Sequence, residues 1–312
     1  MSRRGWLLFI AISIFWGIPY LFIKIAVSEL DPAFVVFGRI VLAAVVLVPV
    51  ALQREALRSF HGSWPLLLLL ACVHLVFPFL LISYGEQHIS SSLTSLLIAS
   101  EPLLIALFAL RFDPSEQVRG WRLVGLLVGL AGVVALLGFD VSGDQQKWLG
   151  AGMVLLAAAG YAVSALLAKR PAIVKLPRLG VVSMECTIAT ILLLPLAIAK
   201  WPRSMPDLPI LASLLILGLI CTALALLTFF ALMAEVGASR GSAFTYVNPA
   251  ISVLLGVLLL GEAFDAATVI GFLLIILGSW LSTGGMLPAR VRAVLPLHRG
   301  PEGEKTEVKQ EV

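Results

Sequence analysis

The feature that most constrains this chain is a series of ten apolar stretches, each long enough to cross a bilayer as a helix. A spanning helix needs about 20 mostly apolar residues, because the hydrocarbon core is about 30 Å thick and each residue rises about 1.5 Å. The predicted spans are residues 6–28, 33–52, 64–85, 91–110, 119–139, 147–168, 179–199, 209–234, 239–261 and 266–283. The fold class predicted from them is an all-α integral membrane protein with the lipid bilayer as its solvent.

Composition excludes the soluble classes. Of the 312 residues, 60% are hydrophobic and 13% are charged, whereas a soluble domain carries about 25% charged residues. No basic stripe alternates with aromatics, so nucleic acid is not an expected partner. The three cysteines lie inside apolar runs without metal-ligand spacing, and no HExxH, GxSxG or P-loop motif is present. We therefore expect no metal, no cofactor and no enzymatic activity.

The positive charges predict an orientation. Of the 22 Lys and Arg residues, 17 fall in segments on the amino-terminal side and three on the other side, and the bias alternates through all ten spans. Such an excess marks the cytoplasmic side. We expect both termini in the cytoplasm, most simply of a bacterial cell. The first apolar run is too long for a cleaved signal. The charged tail, residues 284–312, is expected to be disordered.

An internal repeat appears when the chain is shifted by 146 or 147 residues. The coincident pairs are Pro49 with Pro195, Ser92 with Ser239, Ser95 with Ser242, Pro102 with Pro249, Glu116 with Glu262, Gly125 with Gly271 and Gly132 with Gly278. Five helices is an odd number, so the second copy must be inverted in the membrane. The predicted units are residues 6–139 and 147–283, a 5+5 inverted-repeat bundle. Inverted repeats are a recurring plan of secondary transporters.

Several short motifs follow this repeat in a characteristic order. They are Trp16-Gly17, Arg39, Glu101-Pro102 and Leu260-Gly261-Glu262. With ten spans, they resemble the EamA-type branch of the drug/metabolite transporter superfamily over about residues 6–283. The resemblance implies export or exchange of small metabolites, often amino acids or related compounds. Two positions depart from symmetry: Asn248-Pro249 replaces Glu101-Pro102, and Glu185 replaces Arg39, so the halves differ chemically.

The candidate binding residues begin with those at the membrane midplane, where a transporter's substrate site is expected. Trp16, His74, Glu101 and Asn248 each lie about nine or ten residues into a predicted span. Glu101 is the sharpest signal, because a lone carboxylate in hydrocarbon is costly. Pro102 lacks an N–H and frees a backbone carbonyl, as Pro249 does for Thr245. Glu101 could bind a polar ligand or carry a coupling proton, or it could serve only a structural kink.

Helical spacing adds aromatic and polar candidates. Trp16, Tyr20 and Lys24 share a face of the first helix, which Pro19 is expected to kink. Lys24 lies near the outer interface, where snorkelling is favoured over binding. His74, Phe77, Leu81 and Tyr84 share a face of the third helix. Tyr161 is the repeat equivalent of Trp16, and Ser164 lies on its face. Substrate stacking and ordinary packing both remain open for these side chains.

Arg39 and Glu185 are further candidates for binding. Inverted equivalents lie at opposite depths, so we expect them about 12 Å apart along the membrane normal, each with its own partner. Arg39 could attract a carboxylate. The glycines of the fifth helix (Gly125, Gly129, Gly132) and tenth helix (Gly271, Gly278) favour close packing within the chain or between the subunits of a homodimer.

These observations predict alternating-access transport of a small-molecule substrate, with efflux favoured. The midplane set suits an amino acid or similar zwitterion. A membrane-embedded enzyme would need a nucleophile and base or clustered metal ligands, and a non-transporting scaffold would need larger loops. A channel is also an alternative, although mirrored halves favour rocking over a fixed pore.

Overall fold

Ten apolar helical segments make up the part of the chain that the computed structural model describes, which is residues 2–57, 63–112, 121–137, 145–237 and 242–282. The helices are α1 (Arg3–Gly17 and Pro19–Ala26), α2 (Pro32–Gln53), α3 (Trp64–Gly85), α4 (Ser91–Ile98 and Glu101–Phe112), α5 (Trp121–Leu137), α6 (Gln145–Ala168), α7 (Arg178–Ala199), α8 (Leu208–Val236), α9 (Ser242–Tyr246 and Asn248–Leu260) and α10 (Ala266–Ser282). Each coincides with a predicted span to within a few residues. Ser239, Glu116 and the predicted tail lie outside the described residues.

The packing joins the two halves helix by helix. α2 packs against α7, α4 against α9, and α5 against α10, while α1 packs against α8 and α6 against α3. Exchanging the halves, so that α1 becomes α6 and α3 becomes α8, leaves this set of contacts unchanged. The chain is therefore a ten-helix membrane bundle of two inverted five-helix repeats, as predicted.

The glycines of α5 and α10 allow these two helices to touch along their backbones. A Cβ atom at Gly125 would lie 2.8 Å from the carbonyl oxygen of Gly278, and one at Gly132 would lie 2.9 Å from that of Gly271. No larger side chain fits at these crossings. The glycines thus join the two halves of one chain, which is the packing role expected of them.

Helix interruptions recur in matching places. Pro49 and Pro195 occupy equivalent positions inside α2 and α7, which both contain 22 residues. α4 and α9 are both broken immediately before Glu101-Pro102 and Asn248-Pro249. α3 and α8 each contain a π-helical segment, Ala71–Val76 and Ile216–Leu224. α1 is interrupted at Ile18, where Pro19 was expected to kink it.

The bundle has two unlike ends. We call the end where α1 begins the N-terminal face and the other the opposite face. The opposite face is closed by a buried apolar cluster that includes Ile23, Ile82 and Leu214. The N-terminal face contains a cavity of about 750 Å³, lined by Arg4, Arg54 and Arg178 and by apolar side chains such as Leu227 and Phe230.

Candidate functional site

The breaks in α4 and α9 expose polar groups in the middle of the bundle. Glu101 is the first residue of the second half of α4, and its side chain is half-buried. Asn248 holds the same place in α9. In the amide orientation that satisfies its hydrogen bonds, the Asn248 nitrogen donates to the carbonyl oxygens of Phe244 (2.9 Å) and Ser13 (3.1 Å). Asn248 therefore ties α9 to α1, whereas the carboxylate of Glu101 faces His74 within electrostatic range.

His74 and Glu185 make a direct polar contact between the halves. His74 Nδ1 lies 2.7 Å from Glu185 Oε2. The side chain of Glu185 is only 4% exposed, whereas that of His74 is 34% exposed although it lies deep among helices. The Tyr161 ring meets the His74 ring edge-on, with centroids 6.2 Å apart. Part of the His74 side chain is therefore accessible, and Glu101 lies within electrostatic range of it.

Arg39 is held by the opposite half in a corresponding way. Its side chain is 8% exposed. Its Nε donates to Thr222 Oγ1 at 2.8 Å, and its guanidinium carbon lies 4.0 Å from the centre of the Phe79 ring. Stacking and a single hydrogen bond leave other guanidinium donors for a carboxylate. Arg39 and Glu185 therefore have separate partners, as expected from their places in the repeat.

Two tyrosines interact with both charged groups. Tyr20 and Tyr161 each lie within electrostatic range of both Arg39 and Glu101. Trp16 packs nearby in an aromatic group, with its ring 5.2 Å from those of Phe229 and Phe244. Opposite charges flanked by phenolic and indole rings suit a small ligand that carries both a cationic and an anionic group.

Three candidates lie apart from this cluster. Tyr84 is at the opposite face, where its hydroxyl donates to Asp31 Oδ1 at 3.2 Å. The Ser164 hydroxyl donates to the carbonyl of Tyr161 at 2.8 Å within α6 and is buried. Thr245 lies exposed in the 3₁₀ turn of α9.

Two expectations were wrong. Lys24 does not snorkel to the surface, because its ammonium donates to the carbonyl oxygens of Glu86 and Ile89, the latter at 2.7 Å. Phe77 does not share the inner face of His74, since it is 56% exposed. The π segment that contains His74 has a longer turn than an α-helix, so the assumed spacing does not hold across it.

The structure adds two acidic residues at the opposite face. Glu262 accepts hydrogen bonds from the backbone N–H and hydroxyl of Ser91 (2.7 and 2.9 Å) and from those of Ser92. Burial acts to raise the pKa of Glu262, but these hydrogen bonds outweigh it and lower the pKa. Glu86 is completely buried. The sequence feature that could have identified Glu86 as a candidate is its position directly after a long apolar run.

Among the described residues, no three His, Cys, Asp or Glu side chains converge on one point. Cys186 and Cys221 are buried and Cys72 is half-buried, all as free thiols.

Comparison with known proteins gives a consistent picture. The model of the EamA-like transporter family matches residues 3–138 and again residues 148–284. The transporter YvbV of Bacillus subtilis is 25% identical over 281 residues, covering 88% of this chain and 90% of its own. The inner membrane transporter YedA of Escherichia coli K12 is 25% identical over 262 residues, 82% of each chain. One crystal structure superposes with a TM-score of 0.64 at 22% identity, covering 91% of this chain and 97% of that one.

Proposed function

Because the chain belongs to the EamA-like transporter family, whose model covers both halves, we propose that it exports a small zwitterionic metabolite, such as an amino acid, by alternating access. A multi-pass membrane transporter of a small molecule follows from the family itself. The substrate class, the direction and the coupling ion are our inference from the central cluster, by which we mean Tyr20, Arg39, His74, Glu101 and Tyr161.

The observation that carries the proposal is that Glu101, at the break of α4, and Arg39, in α2, are both within electrostatic range of the same two tyrosines, Tyr20 and Tyr161. Glu101 would receive the ammonium group of the substrate and Arg39 its carboxylate, with Tyr20 and Tyr161 within range of both. Discontinuous helices at matching places of two inverted repeats are where transporters bind their substrates. Glu101 is also the carboxylate that we expect to exchange a coupling proton on the substrate's arrival.

The direction that we propose for the substrate is efflux, because the accessible cavity lies at the N-terminal face. That face holds the cavity of about 750 Å³, and the excess of Lys and Arg on it supports a cytoplasmic location. A buried apolar cluster packs at the opposite face, which supports access from the N-terminal face in this state. A substrate would therefore enter this state from the cytoplasm and leave after the opposite face opens.

The test is thermal unfolding of the purified protein in detergent against a panel of amino acids and other small metabolites. A ligand at about 100 times its dissociation constant should stabilise the folded state by roughly 2.7 kcal/mol. The stabilisation should be lost in Glu101→Gln and kept in Glu235→Gln, a matched change at the N-terminal face. Stabilisation by sugar phosphates but by no amine-bearing compound would refute the zwitterion assignment.

A further inference from the structure

Glu86 is a buried carboxyl group that the substrate site does not use. It follows α3 at the opposite face, and its side chain is 0% exposed. Neither carboxyl oxygen has a hydrogen-bonding partner among the described residues. A buried carboxylate without partners would carry a large desolvation cost, and a protonated carboxyl group carries far less.

The charged neighbours of Glu86 do not neutralise it. Lys24 and Tyr20 face it from α1, Arg39 from α2 and Glu262 from the end of α9. The ammonium of Lys24 donates to the backbone carbonyls of Glu86 and Ile89 rather than to the carboxyl oxygens. Burial raises the pKa of Glu86 well above its ordinary value, Glu262 raises it further, and Lys24 and Arg39 only partly oppose this.

Glu86 is within electrostatic range of both the central cluster and an outer pocket. Arg39 and Tyr20 are its neighbours in the central cluster. Glu262, also a neighbour, lines a pocket of about 350 Å³ at the opposite face together with Lys147 and Asp265. A carboxyl group placed this way can exchange a proton with water at the opposite face and sense the charge of the central site.

We propose that Glu86 is a proton-binding site of the transport cycle, neutral in the closed state described here and exchanging its proton with water when the opposite face opens. Only the coupling to transport rests on the proposed function. On release, the O–H bond of the carboxyl group breaks, the proton passes to water, and the carboxylate keeps the electron pair. Opening frees Lys24 from the two carbonyls, and its ammonium then pairs with the carboxylate of Glu86.

Infrared difference spectroscopy of the purified protein tests the site without any substrate. At neutral pH the wild type should show a protonated-carboxyl band that disappears as the pH is raised and shifts in heavy water. Glu86→Gln should remove that component, and Glu235→Gln should leave it. If Glu86→Gln folds poorly, Glu86→Asp serves instead and should move the band. A carboxyl spectrum unchanged in both Glu86 variants would overturn the proposal.

Coupling is tested in proteoliposomes loaded with a pH-sensitive dye. A panel compound that moves through the wild type should carry protons with it. Glu86→Gln should move fewer protons per molecule of compound than the wild type, because only the proton on Glu101 is left to exchange, while still exchanging labelled for unlabelled compound across the membrane. Proton movement at the wild-type level in Glu86→Gln would refute the coupling role. Failure of every panel compound would count against the proposed function, and the infrared result would still decide the proton site.

Discussion

Arg39 and Glu185 occupy the same position of two 22-residue helices, and each side chain reaches the π-helical segment of the opposite half. Arg39 bonds to Thr222 in α8, and Glu185 contacts His74 in α3. The geometry is repeated while the charge is reversed. Since π-helical turns inside α-helices occur frequently at functional sites, these two cross-links connect the charged residues to the segments of α3 and α8 where a functional role is expected.

His74 and Glu185 should contribute to the free energy of unfolding in a coupled way. His74→Phe leaves Glu185 buried without a partner, which should destabilise the protein by about 1–3 kcal/mol. Glu185→Gln keeps a hydrogen-bonding side chain and should cost less. In the double variant His74→Phe/Glu185→Gln, the loss should be smaller than the sum of the single losses by about 1 kcal/mol or more. Chemical unfolding in detergent measures the cycle, and additive losses would contradict the contact.

Glu262 should make the protein sensitive to acid. The hydrogen bonds from Ser91 and Ser92 lower its pKa in the folded state. This stabilisation is complete above the ordinary carboxylate pKa of about 4.3 and is lost as the pH falls through the lowered value. Glu262→Gln should therefore cost about 1.5–3 kcal/mol at neutral pH and weaken the acid dependence.

The control for this experiment is the same substitution at the N-terminal face. Glu235→Gln alters a partly exposed residue that interacts with Ser2 and Arg4, so its effect should stay within about 1 kcal/mol. Ser91→Ala should give an intermediate loss, since the backbone N–H of that residue still reaches Glu262. Equal losses in Glu262→Gln and Glu235→Gln would show that the hydrogen bonds from Ser91 and Ser92 to Glu262 stabilise the protein no more than the contacts of Glu235 do.

Glu86 should make the protein less stable as the pH rises, whereas Glu262 makes it less stable as the pH falls. Its pKa is raised by burial in the folded state, so the folded protein binds more protons than the unfolded one above the ordinary pKa. Stability should fall as the pH rises from about 4.3 to the raised value and then level off. Glu86→Gln should flatten this decline, as measured by unfolding temperature across a pH series. If the unfolding temperature of Glu86→Gln declined with pH as steeply as that of the wild type, the carboxyl group of Glu86 would have its ordinary pKa in the folded protein.

The fold could be predicted from the sequence because lipid imposes a simple rule on it. A backbone in hydrocarbon must satisfy its own hydrogen bonds, so apolar stretches of sufficient length become helices. The coincidence of Pro49 with Pro195 and of Gly125 with Gly271 then located equivalent helices. Proline and glycine positions determine where a helix can bend or approach another helix, and two copies of a repeat share these backbone features.

The site could be predicted only in part, because side-chain partners depend on helix rotation. Arg39 and Glu185 were recognised as charges in apolar spans, but Thr222 and Phe79 carry no signal that marks them as partners of Arg39. The π segments rotate everything that follows them, which displaced Phe77 from its expected face. Glu86 was missed because a carboxylate at a helix end is ordinarily solvated, and its burial depends on the loop that covers it.

The backbone contact between α5 and α10 should tolerate no added methyl group. A Cβ atom at Gly278 would overlap the backbone of Gly129 and lie 2.6 Å from the carbonyl oxygen of Gly125. Gly278→Ala should therefore lower the unfolding temperature. Gly152→Ala in α6 is the matched control, because a Cβ there meets nothing within 4 Å. It should be neutral or stabilise the helix by up to about 1 kcal/mol, and a loss equal to that of Gly278→Ala would contradict the crossing.

The orientation in the membrane can be decided by labelling two engineered cysteines. Arg54 follows α2 and Lys147 lies in α6, both exposed, and three spans separate them, so they must lie on opposite sides. In a background with Cys72, Cys186 and Cys221 changed to Ala, a membrane-impermeant maleimide should label Lys147→Cys in intact cells and Arg54→Cys only in inverted vesicles. The reverse pattern would invert the bundle and turn the proposed export into uptake. Labelling of both from one side would show that one of α3, α4 and α5 does not cross, and α5, with 17 described residues, would be the first to question.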